Sequence, residues 1–200
     1  MKTAFAHFIK DIYKLEEIGN VQGGSVISMD ESMFTHENNN KIWVVGAKNN
    51  ETCEIRLDIF KTWTTENMKT FIYNHINPLN KIISDGWSSY HFLDDVNSPY
   101  AHEEYSHGPN GNFGLGNNST SHIEGLWGTL KQKIKSIYNS IPSTNFILYL
   151  REAEIRYIHS KLNSGKKEKY IIDLLEYLYN TCDYKFYDIK ILYDNNDYNY

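Results

Sequence analysis

The chain predicts an α/β domain, a mixed sheet flanked by helices with extra helices on its C-terminal side, and three observations carry that expectation. Three strand-like runs follow one another as a meander: Ser25 to Asp30, Ile42 to Lys48 and Thr52 to Phe60. A helix-like run and a fourth short strand, Lys81 to Ser84, come next, after which the chain turns helical. Two of the strand-like runs close on an acid, Asp30 in VISMDES and Asp85 in KIISDGWSSY, and a helix-like run opens on a third, Glu124 in SHIEGLWGTLK.

Each element has a local reason. Over residues 3 to 18, Phe5, Phe8, Ile9, Ile12 and Leu15 fall near one helical face. Gln22-Gly23-Gly24 breaks that pattern before the first strand, and His36 to Asn40 is a polar turn. Asn49-Asn50 forms the tip of the following hairpin, because Asn tolerates left-handed dihedrals. In its second arm Cys53, Ile55, Leu57 and Ile59 alternate with Glu54, Arg56 and Asp58, which predicts one buried and one wet face. Thr64 or Thr65 caps a helix over Glu66 to Ile76, and Pro78 stops it.

Ser88 to Val96 is expected to form a short helix, and the Gly-, Asn- and Ser-rich stretch from Ser106 to Ser121 a loop. Helices are then predicted over about 122–138, 145–162 and 167–180, before a Tyr-, Asp- and Asn-rich tail. This order of elements is that of a ribonuclease-H-like domain, in which the first and fourth strands lie side by side. Asp30 and Asp85 would therefore meet at one end of the sheet.

The bulk numbers narrow the chemistry. A net charge of −5 excludes a general electrostatic coat for DNA, so any DNA-facing charge has to be local. Cys53 and Cys182 have no paired spacing, and His91, His102 and His122 have no zinc spacing, so neither a disulfide framework nor a zinc site is expected. No apolar run is long enough to span a membrane, and the first residues are charged too early for a secretory signal. A soluble intracellular protein is expected. Asn, Tyr, Lys and Ile are so frequent that an AT-rich genome is implied, with a nuclear location in a eukaryotic host (the favoured reading) and a cytoplasmic one in a bacterium.

A carboxylate at a strand end is held by the sheet while its oxygens face an open crevice. Three such donors suit a pair of hard cations, Mg²⁺ or Mn²⁺, and in-line attack on phosphate. Taken singly the signals are ordinary: Asp85-Gly86 is a common turn dipeptide, and a helical Glu is usually a solvated acid. Their conjunction in this order is what points to nucleic-acid strand chemistry. Glu124 and Lys131 are two helical turns apart and face the same way, with Ile123, Leu126, Trp127 and Leu130 as the buried stripe. Lys131, Lys133 and Lys135, and beyond them Arg151, Arg156 and Lys161, either line a DNA path or form a solvated helix face. Trp87 and Trp127 are expected in the core.

The blocks DES with Phe34 beyond it, ISDGW with Tyr90, IEGLWGTLK, and the later YLREAEIRYIH resemble the DDE transposase domain of a group of bacterial insertion sequences and of the eukaryotic Merlin elements. The resemblance covers about residues 24 to 160. It implies metal-dependent DNA cleavage and strand transfer, with Asp30, Asp85 and Glu124 as the catalytic, metal-binding triad for two divalent ions. It places Lys131 at the family's basic position in the DNA-contacting helix and His107 where the family tends to have His, as an accessory residue beside phosphate. The partners it implies are DNA, both element ends and target, and further copies of the chain assembled on that DNA.

The chain departs from the family in three places. An N-terminal DNA-binding segment usually precedes this domain, Ser121 stands where Asn or Gln is usual, and His36 to Asn40 is less basic than in relatives. The expected division is an N-terminal helical remnant over 1–23, the catalytic domain over 24–162, and a helix with a polar tail over 163–200. The alternative expectation is a catalytically silent, domesticated or truncated descendant that binds DNA or protein through the same fold.

Overall fold

The computed structural model describes residues 18–19, 22–35, 41–60, 62–105, 114–115, 118–138 and 146–181. The helix expected over 3 to 18 therefore lies, but for Ile18, outside the described residues. Strands β1 (Val26–Thr35), β2 (Lys41–Asn49) and β3 (Ile55–Phe60) form the antiparallel meander. Helix α1 (Thr65–His75) leads to β4 (Lys81–Ser84), a 3-10 segment covers Ser88–Asp94, and β5 (Ala101–Glu104) follows. A two-residue ladder, β6 (Gly114–Leu115) with β7 (Asn118–Ser119), precedes helices α2 (Ser121–Tyr138), α3 (Phe146–Lys161) and α4 (Ser164–Thr181). The five-stranded sheet has the order β3-β2-β1-β4-β5, with β4 parallel to both neighbours. This is the ribonuclease-H-like order that the sequence predicts.

Alternation along β1 sorts its side chains between two layers. Phe34 joins Ile42, Val44, Leu57 and Ile59 under Leu126, Trp127 and Leu130 of α2 and Phe146 and Leu150 of α3. Ile27 and Met29 join Val45 and Ala47 under Met68, Phe71 and Ile72 of α1 and Tyr90 and Leu93 of the 3-10 segment. Thr64 caps α1 by accepting from the Asn67 N–H at 3.2 Å. The parallel register is fixed at the far end of the sheet, where buried Asn80 accepts from the Ser25 N–H (2.9 Å) and donates to the Asn77 carbonyl (2.9 Å).

Several details differ from the expectations. β1 continues past Asp30 to Thr35, because β2 pairs with it along its whole length, from Ile27↔Asn49 to Thr35↔Lys41. β5 was not expected, since its sequence AHEE has no apolar alternation; it is an edge strand and buries little. Arg56 is buried although its strand face was expected to be wet; its guanidinium donates to the Ile55 carbonyl at 2.7 Å. Finally, α4 begins at Ser164 and leaves only a short break after α3, and the stretch over Ser88 to Val96 closes as a 3-10 segment ending at Asp94.

Candidate active site

The opening in the sheet is made by unequal strands. β1 pairs in parallel with β4 through Val26↔Lys81, Ile27↔Ile82 and Ser28↔Ile83. Carrying that register two residues further sets Asp30 level with Asp85, one residue after β4 has ended. No strand then separates the two sheet faces beside β1. Asp30 points to the α2 side and its neighbour Glu31 to the α1 side, and both reach Asp85 around the end of β4. One oxygen from each of Asp30, Glu31 and Asp85 lies within 4.8 Å of the others.

Each carboxylate is anchored. Trp127 of α2 donates its indole N–H to Asp30 Oδ2 at 2.9 Å. The indole reaches that far because Gly46, the residue of β2 paired with Asp30, has no side chain: a Cβ there would stand 2.5 Å from Trp127 Cη2. Tyr90 donates its hydroxyl to Glu31 Oε2 at 3.2 Å, and the Trp87 main-chain N–H donates to Asp85 Oδ1 at 3.3 Å.

Burial and crowding make Asp30 and Glu31 reluctant to ionise. Desolvation pushes Asp30 from 3.8 up to about 6, and repulsion from Asp85 and Glu124 adds to it. Desolvation, followed by repulsion from Asp85 and Asp30, pushes Glu31 from 4.5 up to about 7. Tyr90 is raised well above its ordinary value, by burial first and then by the same three carboxylates, which keeps its hydroxyl a donor. Oxygen donors at this spacing, held short of easy ionisation, match what a hard divalent cation satisfies: it supplies the positive charge that the pocket lacks. The residues present therefore fit a divalent metal ion.

The sequence-predicted residues fall into distinct places. Asp30 and Asp85 are brought together as expected. Glu124, exposed on the first turn of α2, is coupled electrostatically to Asp30 and accepts from Thr120 Oγ1 at 3.4 Å, but it is not one of the three carboxylates within 4.8 Å. The start of α2 is tied to the sheet by Lys48 Nζ, which donates to the His122 carbonyl at 2.9 Å. Lys131 and Lys135 follow Glu124 along one exposed stripe of α2, and Lys131 Nζ sits 5.4 Å from the centre of the Phe34 ring. Lys133 lies about half a helical turn round from Glu124 and is partly covered. His107 lies outside the described residues.

Glu31 is the site residue that sequence reasoning missed. Strand alternation assigns neighbouring side chains to opposite faces, and only the early end of β4 lets both meet Asp85. Of the two tryptophans, Trp127 is in the core as expected, 5 % exposed, whereas Trp87 is 48 % exposed beside Asp85. Trp87 opens the 3-10 segment from an extended backbone just beyond the strand end.

The family model for the ISXO2-like transposase domain matches residues 20–157. Among proteins with curated descriptions, none matches. Among solved structures, the chain is similar to a chain of the simian T-cell lymphotropic virus intasome in complex with the PP2A regulatory subunit B56 gamma, at 15 % identity and a TM-score of 0.45. That alignment covers 68 % of this chain, which spans 49 % of the intasome chain. The magnesium-bound catalytic core of HTLV-2 integrase in its dimeric form aligns over 66 % of this chain and 82 % of its own, at 11 % identity and a TM-score of 0.42. The catalytic core of BIV integrase aligns over 66 % and 84 %, at 13 % identity and a TM-score of 0.45.

Proposed function

Because the chain belongs to the ISXO2-like transposase domain family, we propose that it cuts DNA strands and joins them to a target in a reaction that depends on divalent metal ions. The observation that carries this reading is the trio Asp30, Glu31 and Asp85, converging where β4 ends beside a continuous β1. Asp30 and Asp85 would hold the metal, with Glu31 beside them and Glu124 completing the set from α2. Bound there, two Mg²⁺ or Mn²⁺ ions would supply activation of the oxygen nucleophile and stabilisation of the leaving 3′-oxygen.

The rest of the chemistry belongs to the chain. Trp127 and the Trp87 N–H keep the Asp30 and Asp85 oxygens aimed into the opening. Lys131 and Lys135, on the same stripe as Glu124, take backbone phosphates and lay the strand across the carboxylates. In cleavage a water oxygen forms a bond to phosphorus as the bond to the 3′-oxygen breaks. In joining, that freed 3′-hydroxyl loses its proton and bonds to a target phosphorus as the bond from that phosphorus to the target strand's own 3′-oxygen breaks, and the departing 3′-oxygen takes up a proton. The catalytic unit in this reading spans about 24–162, acts on DNA as a homo-oligomer, and works in the nucleus of an AT-rich eukaryotic host. The DES, ISDGW and IEGLW blocks fit the insertion-sequence and Merlin type of DDE transposase.

The test is nicking and joining of labelled DNA taken from the flanks of the gene, with Mg²⁺ or Mn²⁺, by wild type, Asp85→Ala and Glu124→Ala. Activity in wild type that both variants lose is the expected result. A wild type that binds this DNA but never cuts it, with binding unchanged in the variants, replaces the enzyme reading with that of a silent DNA-binding descendant.

A further inference from the structure

Asp85 follows the last residue of β4 and faces two other carboxylates that repel it. The 3-10 segment Ser88–Asp94 lies on the α1 face directly beneath, with Ser89, Tyr90 and Leu93 buried. Two polar connections leave it for the acidic strands. Near its start Tyr90, fully buried, donates to Glu31. At its last residue Asp94 Oδ1 lies 2.7 Å from His102 Nδ1, and His102 Nε2 lies 2.9 Å from Ser84 Oγ. Ser84 Oγ in turn donates to the Asp85 carbonyl at 2.9 Å.

The imidazole thus bridges Ser84 and Asp94, one ring nitrogen to each. The imidazole side chain is 2 % exposed and Ser84 is fully buried, whereas Asp94 is 57 % exposed. β5 brings the ring there through the register Ile82↔His102, which sets it on the same sheet face as Ser84. Buried polar groups cost stability unless every one is bonded, and an apolar pair would fill this position without that demand.

We propose that the 3-10 segment is the positioning element of the active site, with His102 its central positioning residue. Through Asp94, His102 and Ser84 it fixes the Asp85 main chain, and through Tyr90 it fixes Glu31, so both acids are presented to one cation. This rests on the reading of the carboxylates as a metal centre. His102 itself touches neither metal nor DNA.

The experiment is Mn²⁺ titration of the full chain followed by electron paramagnetic resonance, with melting of each variant in EDTA alongside. Wild type and Asp85→Ala decide the metal centre: Mn²⁺ bound by the first and lost in the second upholds it, and no binding by wild type overturns both readings. Given binding, His102→Ala is expected to weaken Mn²⁺ affinity about tenfold, the usual effect of removing a group that orients a ligand. His102→Gln, which keeps an N–H near the Nε2 position, should recover most of that loss. Asp94→Asn, at a mostly exposed side chain, tests the same chain without disturbing the core, and a severalfold loss is expected. Wild-type affinity in His102→Ala and Asp94→Asn, or no recovery in His102→Gln, would refute the proposal while leaving the metal centre standing.

Discussion

Replacing Asp30 by Asn should stabilise the metal-free protein at alkaline pH, and the size of the effect follows from the site. The folded-state value of Asp30 is raised from 3.8 to about 6, chiefly by burial. A carboxyl whose folded value is raised contributes stability that is fully present below 3.8 and is lost as pH rises through about 6. The shift is about two pH units at about 1.4 kcal/mol each, so Asp30 costs the wild type about 3 kcal/mol between pH 4 and pH 8. Asn is nearly isosteric, its oxygen can still accept from Trp127, and it never ionises. It also removes one cause of the raised value of Glu31, which acts in the same direction. His75, held neutral to about 4 by burial, loses stability as pH falls from 6.5, but equally in both proteins, so it cancels from their difference.

Thermal melting in EDTA from pH 4 to pH 8 is the assay. The variant's advantage should grow by about 3 kcal/mol across that range, or about 6–12 °C at the usual 2–4 °C per kcal/mol for a chain of this size. Saturating Mn²⁺ should shrink the gap, because a bound cation offsets the same charge in the wild type. Parallel melting curves, with a gap that does not change with pH, would refute the claim that burial strains these carboxylates.

Three other perturbations test separate parts of the structure. Gly46→Ala drives a methyl group to within 2.5 Å of the Trp127 ring, so it should lower stability by about 1–3 kcal/mol in denaturant titration and break the bond to Asp30, seen as a change in indole fluorescence. Lys131→Ala or Lys135→Ala should each reduce the salt dependence of DNA binding by about one ion, whereas Lys133→Ala, on the other side of α2, should leave the slope unchanged. Arg151 donates to the Leu57 carbonyl (2.6 Å) and to buried Glu154 (2.8 Å), so Arg151→Ala leaves a buried acid without this partner and should cost about 3–5 kcal/mol in urea unfolding.

What the sequence shows and what it hides differ for physical reasons. Asp30 and Asp85 are legible because each follows a short apolar run, and the order of elements alone makes those runs neighbours. Glu31 is hidden because alternation is a local rule, while its meeting with Asp85 depends on the length of a partner strand more than fifty residues away. β5 is hidden because an edge strand that buries little needs no apolar pattern, so AHEE reads as loop. Residue type suggested that both tryptophans are buried, but burial depends on what lies above a position: α2 packs over the sheet at Trp127, whereas Trp87 is left about half exposed. His102 looked unimportant when histidines were compared for zinc spacing, because its partners are a serine and an aspartate brought to it by β4 and the 3-10 segment.

The parallel pairing of β1 with β4 also dictates when the acids of the site come together. The β1–β2–β3 meander closes through short turns, so its formation is local and fast. The β1–β4 pair closes a loop of more than fifty residues, and it must bring Asp85 against Asp30 and Glu31 despite their repulsion. A growing or partly unfolded chain thus carries its acids scattered. A divalent cation that bound all three would favour that last closure and with it completion of the fold. The site is in this way assembled only in the finished molecule.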